Sequence, residues 1–312
     1  MIDGRTHAQR VAQRDALAGH YVEYLAAWER DAEEELNSIY WMTKQKEKHF
    51  QKAIKGMSKT DFLSPLLKAS ERAMMGCYAC QLVLYGDPKG WGLLARAADP
   101  QWWAFYFAQH AGSYEGATAM LLPFSYLVGH FPRADFIGRC LFEGSAVARR
   151  YVDDSIIGRF VARLWALDNN VQAERLDELA KLPNERAHNF LVANLFQPCS
   201  IEMVAAITAI LDFHLDEASR EDGELKTADL FYLMPLELLY FIEIRRKRGI
   251  ETASINHPLL DTPLAVLPTT TAWLSEVWEF ALPEYIEAIA ALGIRPADEL
   301  ARFRMHAEAI EL

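Results

Sequence analysis

The fold is decided by the stretch TADLFYLMPLELLYFIEIRRKRG at residues 227–249. Residues 230–244 are apolar nearly all round a helix, which is typical of a buried helix rather than one with a wet face. Thr227 is the predicted N-cap, and Gly249 is the predicted left-handed stop. Because Pro235 lies inside the pattern, we expect a kink there or a split into two abutting pieces. The stretch predicts a central helix against which the neighbouring helices pack.

The two ends of this helix differ in polarity. Leu236, Leu239 and Tyr240 lie in the apolar part, and we expect all three to be buried. Residues 245–248 are all basic, which suits the negative end of the helix dipole, and Glu243 lies four residues before Lys247 in the favourable order for an ion pair.

Working outward, the composition describes an ordinary soluble chain. The 312 residues are 51% apolar and 24% charged, and no apolar run reaches the roughly 18 residues of a membrane span. The N-terminus lacks the apolar core of a secretory signal. Four scattered cysteines are too few for a disulfide framework. We therefore expect a cytoplasmic protein.

Net charge is distributed unevenly along the sequence. Residues 1–156 hold 18 Lys and Arg and 18 Asp and Glu, whereas residues 157–312 hold 14 and 25, so the second half carries the whole net charge of −11. This surplus disfavours binding to nucleic acid or to an anionic membrane and suits a basic partner.

The remaining pattern is helical throughout. A helix is predicted to end at Gly86-Asp87-Pro88. Residues 89–131 are rich in aromatic side chains, which we expect to lie in a core. No segment alternates with the period of a strand. Beyond Gly249, an extended connector has leucines that we expect to dock on the core. Further helices are predicted at 153–168, 171–181, 184–196 and 200–218. The predicted fold is all-α: an irregular multi-helix bundle or an α-solenoid-like array around the central helix. We expect one extended domain over 1–312, with 1–151 and 152–312 as the alternative halves.

Few residues are spaced for chemistry. Cys77 and Cys80 have redox-motif spacing, but they lie within a helical pattern, where two small buried thiols are the simpler interpretation. On a helix, Asp212 and Asp216 share a face, whereas His214 points about 200° away from Asp212, so they do not form a metal site. We expect no metal and no cofactor. The chain has no nucleophile elbow, phosphate-binding loop or dinucleotide fingerprint.

Two stretches resemble a known family. RAMMGCYACQLVLYGDPKGWGLLARAADPQWWAFYF (72–107) and LDFHLDEASREDGELKTADLFYLMPLELLYFIEIRRKRGIETASINHPLL (211–260) are similar to the immunity protein 49 family of bacterial polymorphic-toxin systems. The shared features are a Gly-Asp turn followed by aromatic helices, and a late helix that ends in a basic-Gly step before an extended stretch. The resemblance implies a protein without catalytic activity that neutralises a co-expressed toxin by binding it.

The acidic second half suits this function, because toxins that act on nucleotides commonly present basic clefts. We expect the partner to be a cognate protein toxin with a basic surface, and its binding site to be the densest exposed acidic run: Asp212, Asp216, Glu217, Glu221, Asp222 and Glu224. The alternatives are a helical enzyme with a carboxylate or metal site between helices, and a helical scaffold or regulatory protein.

Overall fold

A computed structural model describes residues 5–23, 73–88, 90–92, 94–95, 98, 102, 105–106, 118–143, 155–171, 186–225 and 231–266. Within these ranges the chain is helical and has no strand, so the predicted all-α fold is confirmed. No helix in the described part of the chain is both long enough and apolar enough to cross a membrane.

Eight α-helices and one 3-10 turn are described within these ranges. They are α1 (residues 7–23), α2 (Ala73–Leu84), α3 (Thr118–Leu127), α4 (Phe131–Glu143), α5 (Ile156–Asp168), α6 (Arg186–Ala193), α7 (Ile201–Ser219), α8 (Leu236–Lys247) and a 3-10 turn (Pro263–Ala265). The helices predicted at 153–168, 184–196 and 200–218 correspond to α5, α6 and α7. The helix predicted at 171–181 lies outside the described residues.

Contacts between Cα atoms group the chain into two compact units. Unit 1 comprises Met1–Ala18 and Glu115–Thr271, and unit 2 comprises Gly19–Tyr114 and Ala272–Leu312. These boundaries do not coincide with the alternative division at 151/152. Unit 1 holds 18 basic and 24 acidic residues (net −6) and unit 2 holds 14 and 19 (net −5), so both units share the acidic surplus.

Helix α8 lies in the core of unit 1, where it contacts α3, α5 and α7. Tyr240 is fully buried against Tyr126 of α3, with 4.7 Å between ring centroids, and Leu236 is fully buried as well. These two predictions are confirmed. The third is wrong: Leu239 is only half-buried, because α8 leaves one face partly accessible despite its apolar sequence.

The start of α8 also differs from the prediction. Pro235 does not kink the helix but is its N-cap, and its carbonyl accepts the first backbone bonds, from Leu238 and Leu239 at 3.0 and 2.9 Å. Proline disfavours helical backbone in the residue before it, so residues 231–234 form a buried turn instead. The predicted cap at Thr227 lies outside the described residues.

The predicted stop at Gly249 is confirmed. Gly249 has a φ of 70°, its amide donates to the Arg246 carbonyl, and the Ile250 amide donates to the Arg245 carbonyl at 2.9 Å. This pair of bonds is a Schellman motif, which favours glycine at the left-handed position. In the connector that follows, Leu259 and Leu264 are fully buried, as expected.

Unit 2 is described over shorter ranges. Trp102, Phe105 and Tyr106 are buried, as the aromatic pattern predicts, and the Trp102 and Tyr106 rings stack with centroids 5.5 Å apart. Cys80 is fully buried in α2, and burial raises the pKa of its thiol to about 12, with Tyr21 opposing the shift by a hydrogen bond. Such a thiol stays protonated, so a redox role for Cys80 is disfavoured. The Cys77 side chain lies outside the description.

Candidate partner-binding site

Asp212 is not exposed, contrary to the sequence-based prediction. It lies on α7 with 3% of its surface accessible, and Arg10 of α1 donates to its two carboxylate oxygens at 2.5 and 2.8 Å. His257 of the connector lies 3.4 Å from the same carboxylate. The prediction fails because both partners come from distant parts of the sequence.

The protonation of this buried pair follows from its hydrogen bonds. Although burial raises the pKa of Asp212, the bonds from His257 and Arg10 outweigh burial and lower it to about 2. His257 accepts from the Leu259 amide through Nδ1 at 3.3 Å, so its Nε2 carries the proton that faces Asp212. Burial lowers the pKa of His257, with Asp212 opposing, and this favours the neutral imidazole. Asp212 is thus an ionised carboxylate whose bonds hold α1 and the connector to α7.

Asp216 lies one turn further along α7 and is bound by α1 and by Arg5, which precedes that helix. Arg5 donates to its two oxygens at 2.6 and 2.8 Å, and Gln13 donates to it at 3.1 Å. The prediction that Asp212 and Asp216 share a helix face is confirmed. Arg10 pairs with the buried Asp212, and Arg5 pairs with both oxygens of the half-buried Asp216, so arginines of the same chain neutralise these two charges.

The other four predicted carboxylates lie around the turn that follows α7. Glu217 is buried, contrary to the prediction, and accepts from the Glu224 amide at 2.8 Å. The Glu224 carboxylate is half-buried and accepts from the Ser155 hydroxyl and the Ile156 amide, both at 2.7 Å. It therefore caps the N-terminus of α5, where the helix dipole favours a negative charge.

These bonds present the last two carboxylates to solvent. Glu221 and Asp222 are exposed, and we call residues 220–224 the acidic corner. Gly223 admits no side chain, since a Cβ would lie 1.9 Å from the Glu217 carbonyl oxygen. Asp222 pairs with the half-exposed Arg220 at 3.0 Å, whereas no hydrogen bond or ion pair engages Glu221 among the described residues. The corner is a rigid turn held from both sides.

Sequence reasoning missed a buried pair on the opposite face of α7. His214 points away from Asp212, as predicted, and its Nδ1 lies 2.8 Å from Glu237 Oε1 of α8. Its Nε2 donates to the Tyr232 carbonyl at 3.0 Å, and both side chains are fully buried. The signal in the sequence is a glutamate in the otherwise apolar first two turns of α8. In the part of the chain that the structure describes, no group of three or more His, Cys, Asp or Glu is arranged to hold a metal ion.

A second missed feature is Arg245, one of the basic residues predicted at the end of α8. It is fully buried rather than exposed, and its guanidinium donates to the Leu195 and Gln197 carbonyls at 2.8 Å and to the Glu251 carbonyl at 2.9 Å. Its Nε donates to the Thr252 hydroxyl at 3.0 Å. We call the two segments that it joins, residues 195–202 and 251–254, the clamped surface.

Comparison with known proteins finds no match for this chain among family models, curated proteins or solved structures.

Proposed function

We propose that the chain is an immunity protein that acts in the cytoplasm and neutralises a cognate protein toxin by binding it, without catalysis. The observation that carries this proposal is the acidic corner, where a rigid turn projects Glu221 and Asp222 into solvent. Two exposed carboxylates on one turn present negative charge, as the phosphates of an anionic substrate do. A toxin with a basic cleft would therefore accept this turn in place of that substrate.

The way in which the chain uses its buried and half-buried charged groups favours binding over catalysis. Asp212, Glu224, Glu237 and Arg245 each contact another segment of the same chain, and these contacts join the helices of unit 1. Catalytic acids and bases face a space that a substrate enters. These four groups instead act in the fold, whereas the carboxylates of the exposed corner are available to a partner.

The corner contributes mainly to the rate of association. Exposed charges attract an oppositely charged partner over about 8 Å at physiological ionic strength, and added salt screens this attraction. Charges of this kind typically raise the association rate more than they slow dissociation. We therefore expect salt to slow the association of toxin and immunity protein.

The test co-expresses this chain with the toxin domain encoded beside its gene and measures survival of the bacterial host. The association rate of the purified proteins is then measured across a salt series. The test variant carries Glu221→Lys and Asp222→Lys, and we expect its association to be about tenfold or more slower at low salt, with a flatter salt dependence.

A matched control carries Asp261→Lys and Asp135→Lys. Asp261 is exposed, as Glu221 is, and Asp135 pairs with Arg139 as Asp222 pairs with Arg220. Each double variant replaces two carboxylates of unit 1 by lysines, so the two change its charge equally. We expect the control to associate faster than the corner variant. Equal rates for the two would remove the corner from the mechanism, and a host killed despite native protein would refute the immunity function itself.

A further inference from the structure

Charge attraction at the acidic corner leaves open which residues keep a partner bound. Slow dissociation commonly depends on a few side chains, often apolar, that are buried when the complex forms. The clamped surface, at the other end of α7, presents such a side chain. Ile201 is the most exposed large apolar residue in the described part of the chain, with 86% of its surface accessible.

No local structural role accounts for Ile201. It is the first residue of α7, and the helix is already capped by Ser200, whose hydroxyl accepts from the Met203 amide at 3.2 Å. A β-branched apolar residue adds nothing to a helix N-terminus, where Pro, Asp and Glu are favoured. Because its side chain is exposed, Ile201 contributes little of the hydrophobic stabilisation that a buried isoleucine provides.

The backbone around Ile201 is held firmly although it belongs to loops. The guanidinium of Arg245 joins residues 195–197 to residues 251–252, and the Ala253 amide lies 3.4 Å from the Cys199 sulfur. Loops fixed before binding lose little conformational entropy when a partner arrives. The clamp therefore presents Ile201 in a defined position.

The surroundings of Ile201 indicate the chemistry of a partner. Phe196 is partly exposed, and Glu202 and Glu251 are exposed carboxylates on the two clamped segments. The nearby cation, Arg248, lies over the Phe196 ring at 5.2 Å and is paired with Asp168 at 2.9 Å. The clamped surface thus combines exposed apolar side chains with exposed carboxylates.

We propose that the clamped surface is the apolar anchor for the toxin, and that the toxin receives Ile201 in an apolar pocket edged by basic side chains. This inference rests on the proposed function. Helix α7 has 19 residues and is therefore about 28 Å long, a separation between its two ends that is comparable with the width of an interface of standard size. The corner accelerates association, and Ile201 slows dissociation.

The experiment measures association and dissociation rates between immobilised toxin domain and three forms of the full chain: native, Ile201→Ser and Val266→Ser. Val266 is the matched control, because it is a β-branched apolar residue of unit 1 with 71% of its surface exposed. We expect Ile201→Ser to dissociate about tenfold or more faster, with its association rate and salt dependence unchanged. Val266→Ser should retain the native rates.

A second measurement places a photoreactive benzophenone amino acid at position 201 and irradiates the complex. A covalent adduct with the toxin supports the anchor. If native protein binds but Ile201→Ser dissociates at the native rate, or no adduct forms, the anchor is refuted and the proposed function stands. If native protein neither binds nor protects against the toxin, both proposals are refuted.

Discussion

Replacing Arg245 by methionine tests whether its guanidinium holds the clamped surface together. The side chain is fully buried at the end of α8 and donates to backbone carbonyls on two segments. Methionine fills much of the same volume but donates no hydrogen bond. The change therefore removes the polar link and largely preserves the packing.

The expected loss follows from the acceptors that remain. Leu195 is buried, so its carbonyl is left without a partner, which costs about 1–3 kcal/mol. The carbonyls of Gln197 and Glu251 belong to exposed residues, where water can replace the guanidinium, and their loss adds about 1 kcal/mol. We expect the free energy of unfolding to fall by about 2–4 kcal/mol.

The assay is urea denaturation followed by far-ultraviolet circular dichroism, with Arg246→Met as the control. Arg246 is the next residue of α8, is exposed and pairs, within the described ranges, only with Glu243 on the helix surface, so its loss should cost about 0–1 kcal/mol. Arg245→Lys, which keeps the charge but not the forked donors, should show most of the loss. If Arg245→Met and Arg246→Met unfold within about 0.5 kcal/mol of each other, the clamp does not stabilise the fold.

Two further predictions concern the core of unit 1. Leu238→Ala should lower the free energy of unfolding by about 2–5 kcal/mol because Leu238 is fully buried. Leu239→Ala should lower it by about 1–2 kcal/mol because Leu239 is half-buried. Equal losses in urea titrations would contradict the orientation of α8. Burial lowers the pKa of His188 from 6.5 to about 4, with the charge of Glu237 opposing, so the stability it contributes is complete above about pH 6.5 and is lost as the pH falls toward 4. The stability lost over this pH range is about 3 kcal/mol, and His188→Gln should flatten the fall in unfolding free energy. The measurement is urea denaturation at a series of pH values, and an unchanged pH dependence in the variant would exclude His188 as the origin of the fall.

The helices and their ends were largely predictable from the sequence, because they depend on neighbours within a few residues. Helix α7 begins and ends within one residue of its predicted range, and Gly249 terminates α8 through a local bond pattern. The start of α8 was mispredicted, although the signal was local. Pro235 within the apolar pattern predicts a kink or a split into two abutting pieces, whereas its effect on the preceding residue makes it the N-terminal boundary of the helix.

The exposure of the acidic residues was not predictable, because it depends on partners far away in the sequence. Asp212 and Asp216 belong to the run predicted to be exposed, yet Arg10 and Arg5 neutralise them from about 200 residues away. Only Glu221 and Asp222 of the six predicted carboxylates are exposed. Residue type identifies a charged group, but the tertiary structure decides whether it faces solvent or an arginine of the same chain.

The sequence by itself determined the helical class, the positions of most described helices and the acidic composition, because periodicity, caps and charge are properties of short segments. Only the tertiary structure decided that Arg245 is buried as a clamp, and that Ile201 stays exposed at one end of α7 while an acidic corner forms at the other. The physical reason is that burial depends on which distant segments meet. An arginine at a helix end has the same local pattern whether its donors meet water or the carbonyls of two loops.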